Sequence, residues 1–338
     1  MAPKQLTRRD LLKCSTAAAA SLALSGCAWF SRRPRSRRTF TLIALPDTQI
    51  YSLSYPDIFL QQTQWIKEHK DDLNVVCVVH EGDITDRNST REWVLADKAI
   101  CTLDGAAIPY CMAQGNHDMP EGGKVRDNTQ FNRFFPPVRF EKRPWYGGHY
   151  DRGNENAYYY FKAGGMKFLV ICLEFGPRDQ VLDWANTVAA EHEKHRLIVA
   201  THCYLDHDDT RVGPGDGLNP HDYGCGGNDG EDIWNKFVRK HPNIFLVLSG
   251  HIVGDGTGRL ISAGDHGNKV LQVSANYQMQ ENGGNGWLRI LTFVPDENKI
   301  RFRTYSPFLK RDATDRQTLL NPSRSPTRTH SARRWHRA

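Results

Sequence analysis

The chain has no long apolar run. Its mean hydropathy is −0.59, and nothing in its 338 residues approaches the ~18 apolar residues a helix needs to cross a bilayer, so a bundle of membrane-spanning helices is excluded. Internal repeats are absent, as is any Pro/Gly/Ser linker within residues 39–306, so this stretch reads as one domain. The body also lacks the basic excess that the net charge of +6 suggests. Residues 1–38 hold nine Lys/Arg against one Asp, and residues 311–338 hold seven Arg against two Asp, contributing +8 and +5 and leaving −7 for residues 39–310. A nucleic-acid scaffold working through a basic folded surface is therefore not expected. Cysteine is sparse, eight in all. Cys77, Cys111 and Cys172 sit in apolar β-like runs and Cys101 in a helical pattern, where free buried thiols are usual. Cys203 and Cys225 lie in polar loops and could pair in an oxidising compartment.

The ends read as address and tether. Thr7-Arg8-Arg9-Asp10-Leu11-Leu12-Lys13, followed by a short small-residue apolar stretch, resembles a twin-arginine export signal. Leu24-Ser25-Gly26-Cys27 resembles the lipobox of bacterial lipoproteins, with a chance Cys in a plain signal, or an uncleaved anchor, as the competing readings. The expected organisation is a signal over residues 1–27, a basic tether over 28–38, a folded body over 39–310 and a basic, disordered tail over 311–338. The expected location is the periplasmic or cell-envelope side, with lipidated Cys27 as the membrane anchor.

Within the body, β-branched apolar runs recur at 40–45, 75–79, 108–113, 168–173, 197–200, 244–248 and 270–274, as expected of strands buried on both faces. Between them lie amphipathic helical faces: Ile58, Phe59, Gln62, Trp65, Ile66 and His69; Trp93, Val94, Ile100 and Leu103; Val181, Leu182, Trp184, Ala185 and Val188; Ile233, Trp234, Phe237 and Val238. Residues 287–294 and 299–305 predict a closing hairpin. The alternation predicts an α/β architecture. Two long polar segments, 119–164 and 205–230, read as loops that shape a pocket.

The residues just beyond these runs point to chemistry. The strand ends deliver Asp47-Thr48-Gln49, then Gly82-Asp83-Ile84-Thr85-Asp86-Arg87, then Gly115-Asn116-His117-Asp118, then His202, then Gly250-His251. One strand-end Asp is ordinarily a turn former, and one His an ordinary surface or core residue. Five in succession, at the carboxyl ends where α/β sites form, are a convergent set. Carboxylate, amide oxygen and imidazole together suit first-row divalent or trivalent metals. The glycines before Asp83, Asn116 and His251 are expected to let the chain turn as each strand ends.

This ordered set resembles the calcineurin-like metallophosphoesterase superfamily, whose pattern is Asp-x-His, Gly-Asp-x-x-Asp, Gly-Asn-His-Asp, His and Gly-His-x-His, over residues 40–305. The resemblance implies a four-layer α/β/β/α sandwich of two mixed β-sheets and a two-metal site bridged by Asp83. One ion (Mn, Fe, Zn or Mg) would be held by Asp83, Asn116, His202 and His251. The other would be held by Asp47, Gln49 and Asp83, and here the chain departs from the pattern twice. Gln49 stands where many members have His, and Val253 stands at the last His position. The second ion is expected to be labile, or rescued by Asp255 or His266, or absent.

The activity implied is hydrolysis of phosphoester bonds, mono- or diester, by a metal-bound hydroxide. His117 would protonate the leaving oxygen, Asp118 would fix its tautomer, and Arg87 would contact phosphate or else simply pair with Asp86. The competing class is a non-catalytic binding lipoprotein whose second site has decayed at Val253. His207, His221 and Asp222 are further ligand candidates, better read as solvated loop residues. Asn282-Gly283-Gly284-Asn285-Gly286 has no helix after it and reads as a turn, not a phosphate cradle.

Overall fold

The computed structural model describes residues 38–314; the twin-arginine-like segment, Cys27 and residues 315–338 lie outside the described residues. The chain first alternates strand and helix: β1 (Phe40–Leu45), α1 (Gln49–Ser54), α2 (Pro56–Leu73), β2 (Val75–His80), α3 (Thr90–Gly105) and β3 (Tyr110–Met112). Two short helices, α4 (Thr129–Phe134) and α5 (Pro137–Phe140), lead into β4 (Tyr146–His149), β5 (Ala157–Ala163) and β6 (Met166–Cys172). Then come α6 (Asp179–Glu191), β7 (Arg196–Ala200), α7 (Gly230–Lys236), β8 (Ile244–Ser249), β9 (Thr257–Ala263) and β10 (Lys269–Ala275). The described chain closes with β11 (Leu288–Val294), β12 (Lys299–Ser306) and β13 (Arg311–Asp312).

These strands form two mixed sheets. The first has the order β13-β12-β11-β1-β2-β3 and the second β4-β5-β6-β7-β8-β10-β9. Within the first, β1, β2 and β3 run parallel, and β11 joins β1 antiparallel. Within the second, β6, β7, β8 and β10 run parallel. Strand alternation shows why both faces are covered. Phe168, Val170 and Cys172 of β6, with Ile198 and Ala200 of β7, enter one core with β1, whereas Leu169, Ile171, Leu197 and Val199 enter another with α6 and α7. On the far side of the first sheet, Ile58, Phe59 and Ile66 of α2 and Trp93, Ala96 and Ile100 of α3 complete the first core. The result is a helix, sheet, sheet, helix sandwich.

Local signals set the helix ends. Ser89 and Glu92 form a reciprocal capping box at the start of α3, worth about 1 kcal/mol, and Asn74 in the left-handed conformation ends α2.

Several expectations need correction. The segment 119–164 is not one long loop: it holds α4, α5 and the hairpin β4–β5, and Tyr158-Tyr159-Tyr160 lies in β5, with Tyr159 buried between half-buried neighbours. Val94 is 52% exposed, because α3 presents Trp93, Ala96 and Ile100 to the core and a residue next to Trp93 turns away. Cys101 is exposed, and Cys203 and Cys225 are free thiols rather than a disulfide. The folded body also runs past residue 310, since Arg311 and Asp312 pair with β12.

Candidate metal centre

The parallel strands of both sheets point their carboxyl ends at one edge. There β1 delivers Asp47 and Gln49, β2 delivers Asp83, β3 delivers Asn116 and His117, β7 delivers His202 and β8 delivers His251. The structure brings Asp47, Gln49, Asp83, His117, His202 and His251 together. The ligand atoms of Asp83, His202 and His251 lie within 4.8 Å of one another. His202 Nε2 is 3.2 Å from Asp83 Oδ1 and 3.9 Å from Asp47 Oδ1. Gln49 Nε2 donates to Asp83 Oδ2 at 2.9 Å, and the backbone N–H of His251 donates to Asp47 Oδ1 at 3.1 Å.

This approach strains the backbone. Asp47 (φ 37°), Asp83 (φ 50°) and His251 (φ 67°) all occupy the left-handed region, at a cost of about 1–3 kcal/mol each. The neighbouring glycines serve space more than turning. A Cβ on Gly250 would lie 2.2 Å from Asp47 Oδ2, and one on Gly115 would lie 2.1 Å from Asp83 Oδ1. Of the three glycines expected to turn the chain, only Gly82 has a positive φ.

Hydrogen bonds select the tautomers. His202 Nδ1 donates to the Glu81 carbonyl at 2.8 Å, leaving Nε2 to face the carboxylates. His251 Nε2 donates to the Leu218 carbonyl at 2.9 Å, leaving Nδ1 as the free lone pair. His80 accepts from the Gly82 N–H at Nδ1 and donates from Nε2 to Thr48 Oγ1. Burial holds it neutral, with its pKa down at about 3.

The charges are strongly coupled. Burial pushes the Asp47 carboxyl up to about 8. Burial opposes ionisation of Asp83 as well, yet the charge of His202 beside it pulls that carboxyl down to about 2. His202 is raised to about 9 against its own burial by Asp83 and Asp47, while burial and the charge of His202 lower His251 to about 3.

Whether cations fit can be judged from buried atoms without partners. Among the described residues, Asp47 Oδ2, Gln49 Oε1, Asn116 Oδ1 and His202 Nε2 are all buried and find no hydrogen-bond partner, the last approaching Asp83 without hydrogen-bond alignment. Each such atom is costly to bury unless something satisfies it. All four are ligand atoms of carboxylate, amide or imidazole groups, so the donor set fits divalent metals.

His117 lies on the half-buried rim, its backbone N–H donating to Asp83 Oδ1 at 2.9 Å. The expected role of Asp118 is corrected. Both its oxygens accept from Ile84 N, Thr85 N, Thr85 Oγ1 and Gly115 N, so it ties the Asp83 loop to the Asn116 loop and leaves nothing for the His117 ring. That ring is oriented instead by the Asp86 carbonyl, which accepts from Nδ1 at 2.7 Å. Arg87 is largely exposed and lies 3.5 Å from the Asp86 carboxylate.

Other candidates fall elsewhere. His266 is excluded as a replacement ligand, because it precedes β10 and its Nε2 donates to the Lys240 carbonyl ahead of β8, at the opposite sheet edge. Asp255 is exposed, and its Oδ1 accepts from the Thr257 N–H. His207 pairs with Asp206 and His221 with Asp232. The run Asn282 to Gly286 has positive φ at all five positions and packs on α1, with Gly286 N donating to the Tyr51 hydroxyl. Two residues at the centre were not anticipated, Asn276 and Gln278, which lie just past the end of β10. The run at 270–274 was the signal that reached them, since polar residues succeed it as they succeed the others.

Residues 40–255 match the model of the calcineurin-like phosphoesterase family. The chain belongs to that family. This calcineurin-like phosphoesterase chain is also 34% identical, over 282 residues, to a Bacillus subtilis (strain 168) protein named uncharacterized protein YvnB. The overlap takes in 82% of the present chain and 20% of YvnB, so the chain spans about a fifth of that relative's length. Among solved structures, it aligns with a dimetal phosphatase from Danio rerio at 14% identity and a TM-score of 0.42, over 78% of this chain and 95% of that one. It aligns with the NAD nucleotidase of Haemophilus influenzae at 12% identity and a TM-score of 0.42, over 80% and 48%.

Proposed function

We propose that this protein is a metal-dependent hydrolase of phosphoester bonds. The observation that carries the reading is the meeting of Asp83, His202 and His251, whose ligand atoms lie within 4.8 Å of one another, with buried ligand atoms of Asp47, Gln49, Asn116 and His202 at the same strand ends left without a hydrogen-bond partner among the described residues. Asn116, His202 and His251 would hold one ion, Asp47 and Gln49 a second, and Asp83 would serve both. Bound there, such ions supply an acidified water and positive charge opposite the phosphoryl oxygens.

The protein's own groups supply the rest. His117 donates a proton from Nε2 to the departing oxygen, because its Nδ1 is committed to the Asp86 carbonyl. In the metal-free protein its pKa is raised: burial pulls it down, but the charge of Asp83 and the bond to Asp86 outweigh that. Phe175 closes one wall, its ring 5.1 Å from that of His251 and 6.0 Å from that of His202, holding both imidazoles in place. These residues handle the phosphoryl group whatever it is attached to, so the proposal covers monoesters and diesters alike.

The test is the purified full chain, loaded in turn with Mn, Fe, Zn or Mg and assayed on aryl phosphate mono- and diesters. Turnover that disappears with chelator and returns with metal is expected. Bound metal with no turnover on either ester class would sink the proposal and favour a binding protein that keeps the fold, the reading that Val253 motivates.

A further inference from the structure

We propose that Gln278 supplies the ligand that Val253 cannot, completing an all-oxygen second metal site with Asp47, Asp83 and Gln49. The inference rests on reading the strand-end cluster as a metal centre and goes further by naming a ligand from outside the family pattern.

Topology brings Gln278 to the right place. Strand β10 lies beside β8 and parallel to it, with Leu271 opposite Leu246 and Ser274 opposite Ser249. The residues that continue past Ala275 therefore leave the sheet at the same edge as His251. Asn276, buried, fixes their path: its Nδ2 donates to the His251 carbonyl at 2.9 Å, its Oδ1 accepts from the Gln278 N–H at 2.9 Å, and its own N–H donates to the Gly256 carbonyl at 2.9 Å. Gln278 is thus anchored to both ends of the loop that carries Val253.

Side-chain contacts tie Gln278 to the shared carboxylate. Its Oε1 accepts from Gln49 Nε2, and that same Nε2 donates to Asp83 Oδ2 at 2.9 Å. One amide nitrogen thereby separates the Gln278 oxygen from Asp83. Gln49 is fully buried with Oε1 unpartnered, and Asp47 Oδ2 beside the site is unpartnered too. Without metal, the Gln49 –NH2 bridges the oxygens of Asp83 and Gln278, a link that a cation between those groups would replace. Rotation of that amide about its last torsion, which has a broad and nearly two-fold profile, exchanges the –NH2 for the unpartnered oxygen, so that all three groups would offer oxygen to one cation.

The donor set then becomes two carboxylates and two amide oxygens, with no nitrogen. Such a set suits hard cations such as Mn and Mg, whereas the site with His202 and His251 also suits Zn and Fe. The two sites are therefore chemically distinct.

The experiment is Mn binding to the metal-free full chain, by equilibrium dialysis and calorimetry. Wild type should bind two equivalents, one tight and one weaker. Gln278→Leu should weaken the second about tenfold or more and leave the first unchanged, with an unaltered thermal melt as the folding control. Gln278→Glu should tighten the second equivalent by adding a negative charge. His207→Ala, which removes the ring packed against Gly254 in the Val253 loop, should change neither. Two unchanged equivalents in Gln278→Leu would overturn the inference alone. So would loss of the second equivalent in His207→Ala. No metal bound by wild type would overturn the metal-centre reading beneath it.

Discussion

The His117 ring is turned by a backbone carbonyl, whereas the neighbouring Asp118 spends its carboxylate on loop amides. The two residues are adjacent in sequence, yet their substitutions should separate cleanly. His117→Ala removes no ligand atom, so metal content should stay at the wild-type level. Turnover should fall by about 10²–10⁴ on alkyl esters, whose leaving oxygen needs a proton, and much less on nitrophenyl esters, whose leaving group does not. An unchanged rate on an alkyl ester would remove His117 from the role of proton donor. Asp118→Asn should instead lower stability by about 1–3 kcal/mol, by turning an amide –NH2 toward N–H donors, and leave the dependence on leaving group as it was. That Asp83, His202 and His251 meet was legible in the sequence because residue type and strand-end position both mark them. The division of labour between Asp86 and Asp118 was not, because it depends on which way a carboxylate points once its loop has folded.

Arg126 shows the same dependence at the scale of elements. Its guanidinium donates to the carbonyls of Phe175, Gly176 and Gly226 and lies 3.1 Å from the fully buried Glu174. It thereby clasps the segment before α4 to the turn after β6 and to the loop before α7. Phe175, in the middle of that clasp, is the residue packed against His202 and His251. Arg126→Met should therefore cost about 2–3 kcal/mol in urea denaturation, tempered by the second partner Glu174 retains in Arg178, and should weaken metal binding indirectly. A loss below about 0.5 kcal/mol would show that the clasp is redundant. The parallel strands of both sheets were readable because burial on two faces writes an unbroken apolar run. Strands β4, β5 and β9 were not: β4 is rich in glycine, β5 runs three tyrosines together with only the middle one buried, and β9 has one strand neighbour among the described residues. Gln278 escaped for a related reason. The polar residues beyond β10 carry no Gly-His or Asp signature, and only the pairing of β10 with β8 shows which edge they reach.

For the molecule as a whole, the body that carries the site has a net charge of −7 between basic ends, and bound cations would reverse the sign locally. Their removal should be felt throughout the fold. In the metal-free protein, burial raises Asp47 to about 8, and Asp83 and Asp47 raise His202 from its ordinary 6.5 to about 9. Both groups have folded pKa values above their unfolded ones. The stability they lend the metal-free fold is full below their ordinary values and is lost as pH climbs through about 8 and about 9. Asp83, held at about 2, does not titrate in this window. The metal-loaded fold needs these same groups deprotonated, so metal uptake near neutrality should release protons and tighten as pH rises. At a metal concentration about 100-fold above Kd, loading contributes about 2.7 kcal/mol, or roughly 5–10 °C in Tm. The gap in Tm between Mn-loaded and chelator-treated protein should therefore widen from pH 6 to pH 9. The proton release should appear as a calorimetric binding enthalpy that changes with the ionisation enthalpy of the buffer. A gap that stays constant or narrows over that range, with an enthalpy indifferent to buffer, would mean that metal does not displace protons from Asp47 and His202, and that these residues are not ligands.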